Sequence, residues 1–301
     1  MIKQVIETSD GYQLQVYVWP NEHAKAWVHI NHGMAEHAAR YEDFATELVA
    51  EGYAVVAHNH RGHGNSETTK LGCFAKQDGW QKVLSDLDAV RDAICSTDVP
   101  FYLMGHSMGS FIVQSYLSVT HRKVDGLILS GSNFQPALLS RAAKVVAKIE
   151  QIRVGKTRSS ALLQFLSFGS FNQAFKPNRT AFDWLTRDTK QVDKYVADPL
   201  CGFACSTGLW YEFMSELIKL VKPETLKKIQ TNLPILILGG SMDPVGMMGK
   251  GLPKLANAYK DAGQNTVTLK VYDNARHEIL NETNNQQVYK DIITWLDYQP
   301  K

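Results

Sequence analysis

A serine of the sequence stands between glycines in the pattern Gly-x-Ser-x-Gly, at Gly105-His106-Ser107-Met108-Gly109. An apolar run precedes this pattern, and a helix-like segment follows it. Strand, Gly-x-Ser-x-Gly and helix, in this order, are the context in which a serine hydroxyl is exposed at a sharp turn. Glycines two residues away on each side leave room for closely approaching backbone. The pattern predicts Ser107 as a nucleophile; the alternative is a tight turn that contains a serine by chance.

A serine hydroxyl becomes a good nucleophile only when a nearby base takes its proton. Active residues in open α/β sheets gather at the carboxyl ends of strands, which favours His277, because it follows the predicted strand 266–272. His29 lies within a predicted strand and His121 ends a helix, so a structural role fits both better. The side chain of His106 is expected to point away from the serine at so sharp a turn. We therefore predict His277 as the base.

The acid that orients such a histidine should also follow a strand. Asp243 comes directly after the apolar run 233–238, where it could accept a hydrogen bond from His277 Nδ1. The alternative for Asp243 is a helix N-cap, which the following proline makes plausible. Asp273 and Glu278 are nearer to His277 in the chain. The order serine, acid, histidine and the position at a strand end favour Asp243.

The oxyanion of an acyl-transfer intermediate requires two backbone N–H groups. One should belong to Met108, the residue after the nucleophile. The other should come from the loop after an earlier strand, here His32-Gly33-Met34, and we predict the N–H of Met34.

Three closely spaced histidines offer a competing interpretation. His58-x-His60-x-x-His63 resembles a metal-binding tract, and a hydrolytic zinc site is conceivable. The tract lacks Cys, Asp or Glu ligands at the usual spacing. A structural loop packed beneath the active site is the favoured interpretation, and no metal is expected.

The elements that position these residues alternate along the chain. Residues 3–19 are typical of a hairpin, and short apolar strands then alternate with amphipathic helices, one of them with Asp78 as the expected N-cap. This rhythm predicts a largely parallel α/β sheet. Between residues 132 and 232 it gives way to mainly helical sequence. We therefore divide the chain into a first part of the sheet domain (1–131), a helical cap (132–232) and a second part of the sheet domain (233–301).

Five motifs together resemble the monoacylglycerol lipase and lysophospholipase group of α/β-hydrolases, also labelled serine aminopeptidase S33-like. They are His32-Gly33-Met34-Ala35-Glu36-His37, Arg61-Gly62-His63-Gly64-x-Ser66, Gly105-His106-Ser107-Met108-Gly109, Gly240-x-x-Asp243-Pro244 and Arg276-His277-Glu278. One departure is visible, because the loop before Arg61 usually carries an aspartate and here holds Asn59 and His60.

The resemblance implies an α/β-hydrolase fold with a mostly parallel eight-stranded sheet and a helical cap between strands 6 and 7. It implies a serine hydrolase that cleaves lipid esters through an acyl-enzyme, with no cofactor. It carries the nucleophile, acid and base onto Ser107, Asp243 and His277, and the oxyanion donors onto Met34 and Met108. The alternatives are a thioesterase, a short-chain or aryl carboxylesterase, an aminopeptidase, or a catalytically silent homologue that binds a ligand.

Composition limits the partners. The net charge of +2 predicts no nucleic-acid partner. The four cysteines have no framework spacing, and no signal peptide or membrane-spanning run is visible, so a cytoplasmic protein with reduced thiols is expected. Residues 132–232 carry a net charge of +7 and an aromatic patch, which can indicate transient contact with a membrane surface. The charges fit an ordinary solvated cap face somewhat better. The oligomeric state is left open.

Overall fold

An eight-stranded sheet runs through the protein. The computed structural model describes residues 1–65 and 70–299, so Ser66 of the second motif lies outside the described residues. The strands are β1 (Ile2–Glu7), β2 (Gln13–Trp19), β3 (Trp27–Asn31), β4 (Ala54–His58), β5 (Phe101–His106), β6 (Gly126–Ser130), β7 (Ile235–Gly240) and β8 (Val267–Tyr272).

The strand order is β1-β2-β4-β3-β5-β6-β7-β8. β1 and β2 form the predicted hairpin, and β2 pairs antiparallel with β4. All remaining pairs are parallel, from β4 and β3 across to β8. The carboxyl ends of β3, β5, β6, β7 and β8 therefore meet at one edge of the sheet, where ligands bind in open α/β folds.

Helices cover both faces of this sheet. In the sheet domain they are α1 (Glu42–Ala50), α2 (Gly79–Ile94), α3 (Met108–Leu117), α10 (Gly251–Asp261) and α11 (Asn285–Asp297). One hydrophobic core lies between one face of the sheet and α2, α3 and α10, and it continues into the helices between β6 and β7. A second core joins the other face to α1 and α11. Every residue of β3 to β7 is buried, as expected for strands covered on both faces.

The elements between β6 and β7 are helical. They are α4 (Ala137–Val154), α5 (Ala161–Gln164), α6 (Ser170–Asn172), α7 (Thr189–Ala197), α8 (Thr207–Leu220) and α9 (Pro223–Leu226), with a π-helical turn (Phe165–Gly169) joining α5 to α6. α4 packs along α8, and one isolated β-bridge joins Ser159 to Ser206. The predicted cap is thus a helical insertion between strands 6 and 7. Its limits at 132 and 232 stay a prediction, and we call residues 132–232 the cap segment.

One predicted helix cap is wrong. Asp78 precedes α2, but it has a φ of 51° and its side chain accepts no capping hydrogen bond. The N–H of Trp80 instead donates to the carboxylate of Glu212, at 2.9 Å, on α8 of the cap segment. A distant carboxylate thus replaces the local one at this helix N-terminus, where a negative charge is favourable.

No helix in the described part of the chain combines the length and the apolar character needed to cross a membrane.

Candidate active site

Ser107 lies at a strained turn between β5 and α3. Its backbone has φ 50° and ψ −120°, which non-glycine residues rarely adopt. Gly105 and Gly109 make the turn possible. A Cβ on Gly105 would lie 2.4 Å from Gly109 O, and a Cβ on Gly109 would lie 2.1 Å from Asn31 O. Gly105 is thus required by the close packing of the strand end against the start of α3, and Gly109 by the packing of α3 against the end of β3.

Hydrogen bonds hold this turn in place. The N–H of Ser107 donates to Ser130 O at 2.9 Å, at the end of the neighbouring strand β6. Its carbonyl accepts from both the N–H and the hydroxyl of Ser110, at 2.9 and 2.6 Å. Backbone strain persists only where surrounding structure fixes the conformation, and here both sides of the serine are fixed.

His277 and Asp243 form a buried pair. They follow β8 and β7, and His277 Nδ1 lies 3.0 Å from Asp243 Oδ2. The other oxygen of Asp243 accepts the N–H of Val245 at 2.8 Å, so the carboxylate also closes its own turn. The helix N-cap alternative for Asp243 is wrong, because turns follow it and the next helix, α10, begins only at Gly251.

The surroundings of His277 favour its protonated form. Burial opposes the charged imidazolium, but the attraction of Asp243 outweighs it, and the pKa of His277 is raised. The ring contacts two other rings, with centroid distances of 5.0 Å to Trp184 of the cap segment and 4.7 Å to His106. Its Cε1 would lie 2.9 Å from a Cβ on Gly131, next to the residue that holds the Ser107 backbone.

The side chain of His106 lies against the predicted base. Its Nδ1 is 3.2 Å from the hydroxyl of Ser130. Burial and repulsion from His277 lower the pKa of His106 to about 4, so its ring is neutral near pH 7. The neutral ring of His106 therefore packs against His277 without adding a positive charge beside it.

The loop after β3, residues 32–37, lies beside Ser107, and we call it the β3 loop. A Cβ on Gly33 would lie 3.3 Å from Ser107 Cβ. The Gly33 N–H donates to Glu36 Oε1 at 2.6 Å, and Ala35 has a φ of 56°. Met108 opens α3, so its N–H is one of those without an intrahelical acceptor. The two candidate oxyanion donors, Met34 and Met108, line one cavity with Ser107.

A buried ionic cluster holds the β3 loop in place. Arg40 contacts Glu36 at 2.5 Å and makes two bonds of 2.7 Å to Glu278, the residue after His277. Its guanidinium also stacks on the ring of Tyr195 in the cap segment, 4.7 Å from the centroid. Burial favours the neutral carboxyl of Glu36, but Arg40 outweighs it and the pKa of Glu36 is lowered. Arg40 thus ties together the β3 loop, the His277 loop and the cap segment.

The cavity above Ser107 has a volume of about 410 Å³, within the range of small-molecule sites. Its lining is mostly apolar and comes largely from α4, α8 and the helical run 161–172. Trp184, which contacts His277, lines the same cavity. The arrangement therefore brings the serine and the neighbourhood of the histidine to one apolar, partly enclosed space.

The sequence itself shows the family to which the chain belongs. Residues 22–284 match the model of the family described as serine aminopeptidase, S33. The chain belongs to this family.

Relatives and solved structures agree with this assignment. The chain is 29% identical to monoglyceride lipase of Homo sapiens, over 96% of this chain and 88% of that protein. It is 28% identical to monoacylglycerol lipase of Mycolicibacterium smegmatis, over 95% and 93%. A thermostable carboxyl esterase of Bacillus coagulans, solved in complex with glycerol, has a TM-score of 0.89 and 25% identity, over 98% and 97% of the two chains. The α/β-hydrolase fold is thereby confirmed.

Histidines of the suggested metal tract lie in a buried cluster of this S33-family protein. His58, His60 and His63 pack with His29 and His32, and ring centroids of neighbours lie 4.3 to 6.4 Å apart. Burial lowers the pKa of His58 to about 3 and that of His63 to about 4, so their rings are neutral. Within the described residues, the one group with convergent metal-ligand atoms is elsewhere, at His37, Asp198 and Cys201.

Sequence reasoning missed two contributors to the site. Trp184 of the cap segment contacts His277, and no residue spacing in the sequence predicts that contact. Arg40 lies only four residues after Glu36, and the pairing of a buried Arg with acidic residues of two motifs could have been suspected. Glu278, the last residue of the motif Arg276-His277-Glu278, is the second acidic partner of Arg40.

Proposed function

We propose that the chain is a serine hydrolase that cleaves carboxylic esters of lipids, of the monoacylglycerol or lysophospholipid type. One observation carries this proposal: the strained Ser107 opens onto an apolar cavity of about 410 Å³, with a paired histidine and aspartate beside it. The names of the relatives support the same class of substrate.

Acylation begins when His277 Nε2 takes the proton of the Ser107 hydroxyl as Oγ attacks the ester carbonyl carbon. Asp243 keeps Nδ1 protonated and stabilises the imidazolium that forms. The N–H groups of Met34 and Met108 hold the negative charge on the carbonyl oxygen, and the loss of one such donor typically costs about 2.7–4 kcal/mol.

Acylation ends when the first tetrahedral intermediate collapses. The imidazolium gives its proton to the departing alcohol, which leaves the acyl group on Ser107 Oγ. In deacylation, water loses a proton to His277 and attacks the acyl carbonyl carbon; the bond between Ser107 Oγ and the acyl group then breaks, and the imidazolium returns the proton to Oγ as the fatty acid leaves. Every proton passes through His277, so no cofactor takes part in the scheme.

A substrate panel tests the proposal. Monoacylglycerol, lysophosphatidylcholine, a p-nitrophenyl ester series and a proline amide are compared at equal enzyme concentration, with Ser107→Ala as the blank. We expect hydrolysis of esters with medium or long acyl chains. Turnover confined to acetate and butyrate esters would contradict the lipid substrate, and cleavage of the amide alone would favour the aminopeptidase.

The cavity can be shortened by substitution. Ala143 lines it from α4, so Ala143→Phe should remove space for the acyl chain. Exclusion of two or more methylenes of the acyl chain, at about 0.8 kcal/mol each, predicts a loss of roughly tenfold or more in kcat/KM for long chains only. Ala142→Phe, on the exposed side of the same helix, is the matched control. Equal losses for short and long chains would show that the cavity does not hold the acyl group.

Contact with a membrane surface belongs to the same proposal. The cap segment exposes large apolar side chains, with Leu138 at 78% and Ile152 at 76% exposure, together with an excess of basic residues. A basic amphipathic surface suits the boundary of an anionic bilayer, where the substrate is found. The four free cysteines support a cytoplasmic location, where thiols stay reduced.

A further inference from the structure

Three side chains of different chemistry converge where the β3 loop meets the cap segment. His37 ends the β3 loop, while Asp198 and Cys201 lie in the turn after α7. We propose that these three residues form a binding site for a thiophilic divalent cation, Zn²⁺ above all, which joins the cap segment to the β3 loop. The site goes beyond the proposed function, because ion binding there requires no ester substrate.

The geometry suits a small cation. His37 Nε2 lies 2.8 Å from Asp198 Oδ2, and the ligand atoms of all three residues lie within 4.8 Å of one another. Zinc bonds of about 2.0–2.3 Å in a tetrahedron place ligand atoms about 3.3–3.8 Å apart. The His37 and Asp198 ligand atoms must therefore separate by about 0.5 Å, and the longer distances in the group must shorten by up to about 1 Å, changes that side-chain rotation can provide.

The donor set selects the metal. Imidazole nitrogen, carboxylate oxygen and thiolate sulfur are the donors that Zn²⁺ takes, and a fourth position is left for water. Mg²⁺ and Ca²⁺ prefer oxygen ligands, so the sulfur of Cys201 disfavours them. Burial raises the pKa of the Cys201 thiol, and on metal binding the thiol releases its proton to solvent.

The turn that carries two of the ligands is already ordered. Asp198 Oδ1 accepts the N–H of Leu200 at 2.8 Å, and its backbone carbonyl accepts the N–H of Cys201 at 3.0 Å. Asp198 Oδ2 therefore faces His37. The N–H of Gly202 also donates to Ala35 O at 2.9 Å, so the turn is docked on the β3 loop.

The charge of the surroundings favours a cation. Arg40 lies nearby, but two carboxylates, Glu36 and Glu278, contact it directly. The carboxylates of Glu36, Glu278 and Asp198 together outnumber the single guanidinium of Arg40. Deprotonation of Cys201 on metal binding adds a further negative charge. The Asp198 side chain is 31% exposed, which gives the ion a path from solvent.

Cobalt and zinc titrations test the site on the whole protein after treatment with a chelator. Co²⁺ should bind with one-to-one stoichiometry and give a thiolate-to-metal charge-transfer band that Zn²⁺ abolishes. At a hundredfold excess over Kd, Zn²⁺ should raise Tm by roughly 4 °C. Absence of the band at saturating Co²⁺ would overturn the proposal without any variant.

Variants locate the site. Cys201→Ser should abolish the band, and both Cys201→Ser and His37→Gln should weaken Zn²⁺ binding at least about tenfold in calorimetry. Cys95→Ser and His121→Gln, which remove a thiol and an imidazole elsewhere, should leave both signals unchanged. Loss of the band in Cys95→Ser but not in Cys201→Ser would contradict the assignment. Ser107→Ala should bind Zn²⁺ normally, so failure of this site and failure of the esterase are distinguishable.

Discussion

Ser107 adopts a backbone conformation whose cost is of the order of 1–3 kcal/mol. Glycines on both sides, a hydrogen bond to Ser130 and two bonds from Ser110 fix it there. Such strain is characteristic of functional sites, where it directs one side chain at a substrate. His277 and Asp243 complete the arrangement from two other strand ends, and their separation along the chain explains why only strand-end reasoning could pair them.

The effect of the Asp243 charge on His277 can be measured by substitution. Asp243→Asn keeps the shape of the side chain but removes the charge that raises the pKa of His277. We expect kcat to fall by about 10³–10⁴, as for comparable triads. The acidic limb of the remaining pH profile should move to lower pH, because the His277 imidazolium loses its stabilising partner.

The matched control for this change is Asp273→Asn. Asp273 is exposed and precedes His277 by four residues in the chain. Activity and the pH profile should stay as in the unchanged protein. A greater loss in Asp273→Asn than in Asp243→Asn would transfer the acid role to Asp273.

At the scale of elements, the sheet and its helices could be predicted because each carries its own periodic pattern. The buried strands β4 to β7 and the faces of α1, α2 and α11 follow directly from apolar spacing. Contacts made across the chain could not be predicted. Glu212 bonds the N-terminus of α2, and Trp184 packs on His277. Both belong to the cap segment, whose helices carry no spacing that fixes where they dock.

The buried cluster of His29, His32, His58, His60 and His63 makes the fold sensitive to acid. Burial lowers the pKa of its members below the ordinary value of 6.5, to about 3 for His58 and about 4 for His63. The unfolded chain therefore binds more protons below pH 6.5, and stability is lost as pH falls from there towards 4. Each neutral histidine contributes a slope of up to about 1.4 kcal/mol per pH unit.

Denaturant unfolding at a series of pH values measures this slope. His60→Phe removes one member, both of whose ring nitrogens lack partners in the described structure, and should reduce the slope below pH 6.5. His121→Asn changes an exposed histidine and should leave the slope unaltered. Equal slopes in all three proteins would show that the cluster does not control acid stability.

At the scale of the whole molecule, the charge is unevenly divided. The cap segment carries a net charge of +7 while the rest of the chain carries −5, and the exposed apolar residues of α4 lie on the positive part. Such a division can orient the protein on an anionic lipid surface, with the cavity entrance towards the substrate.

Vesicle binding tests this orientation. Sedimentation with anionic vesicles should exceed sedimentation with zwitterionic ones and should weaken at high salt. Ile152→Glu removes one exposed apolar contact of the cap segment and should lower the affinity roughly tenfold or more. Val119→Glu changes a residue of 57% exposure outside the cap segment and should have no effect. The same loss in both variants would contradict a docking role for α4.

The most direct measurement is the site of covalent labelling by a fluorophosphonate. The probe is mapped by peptide mass spectrometry in the unchanged protein, in Ser107→Ala and in Ser118→Ala, which alters a serine at the far end of α3. We expect one adduct, on Ser107, with complete loss of ester hydrolysis. Ser118→Ala should label and hydrolyse normally. An adduct on another serine, or hydrolysis that survives Ser107→Ala, would contradict the role of Ser107 as nucleophile.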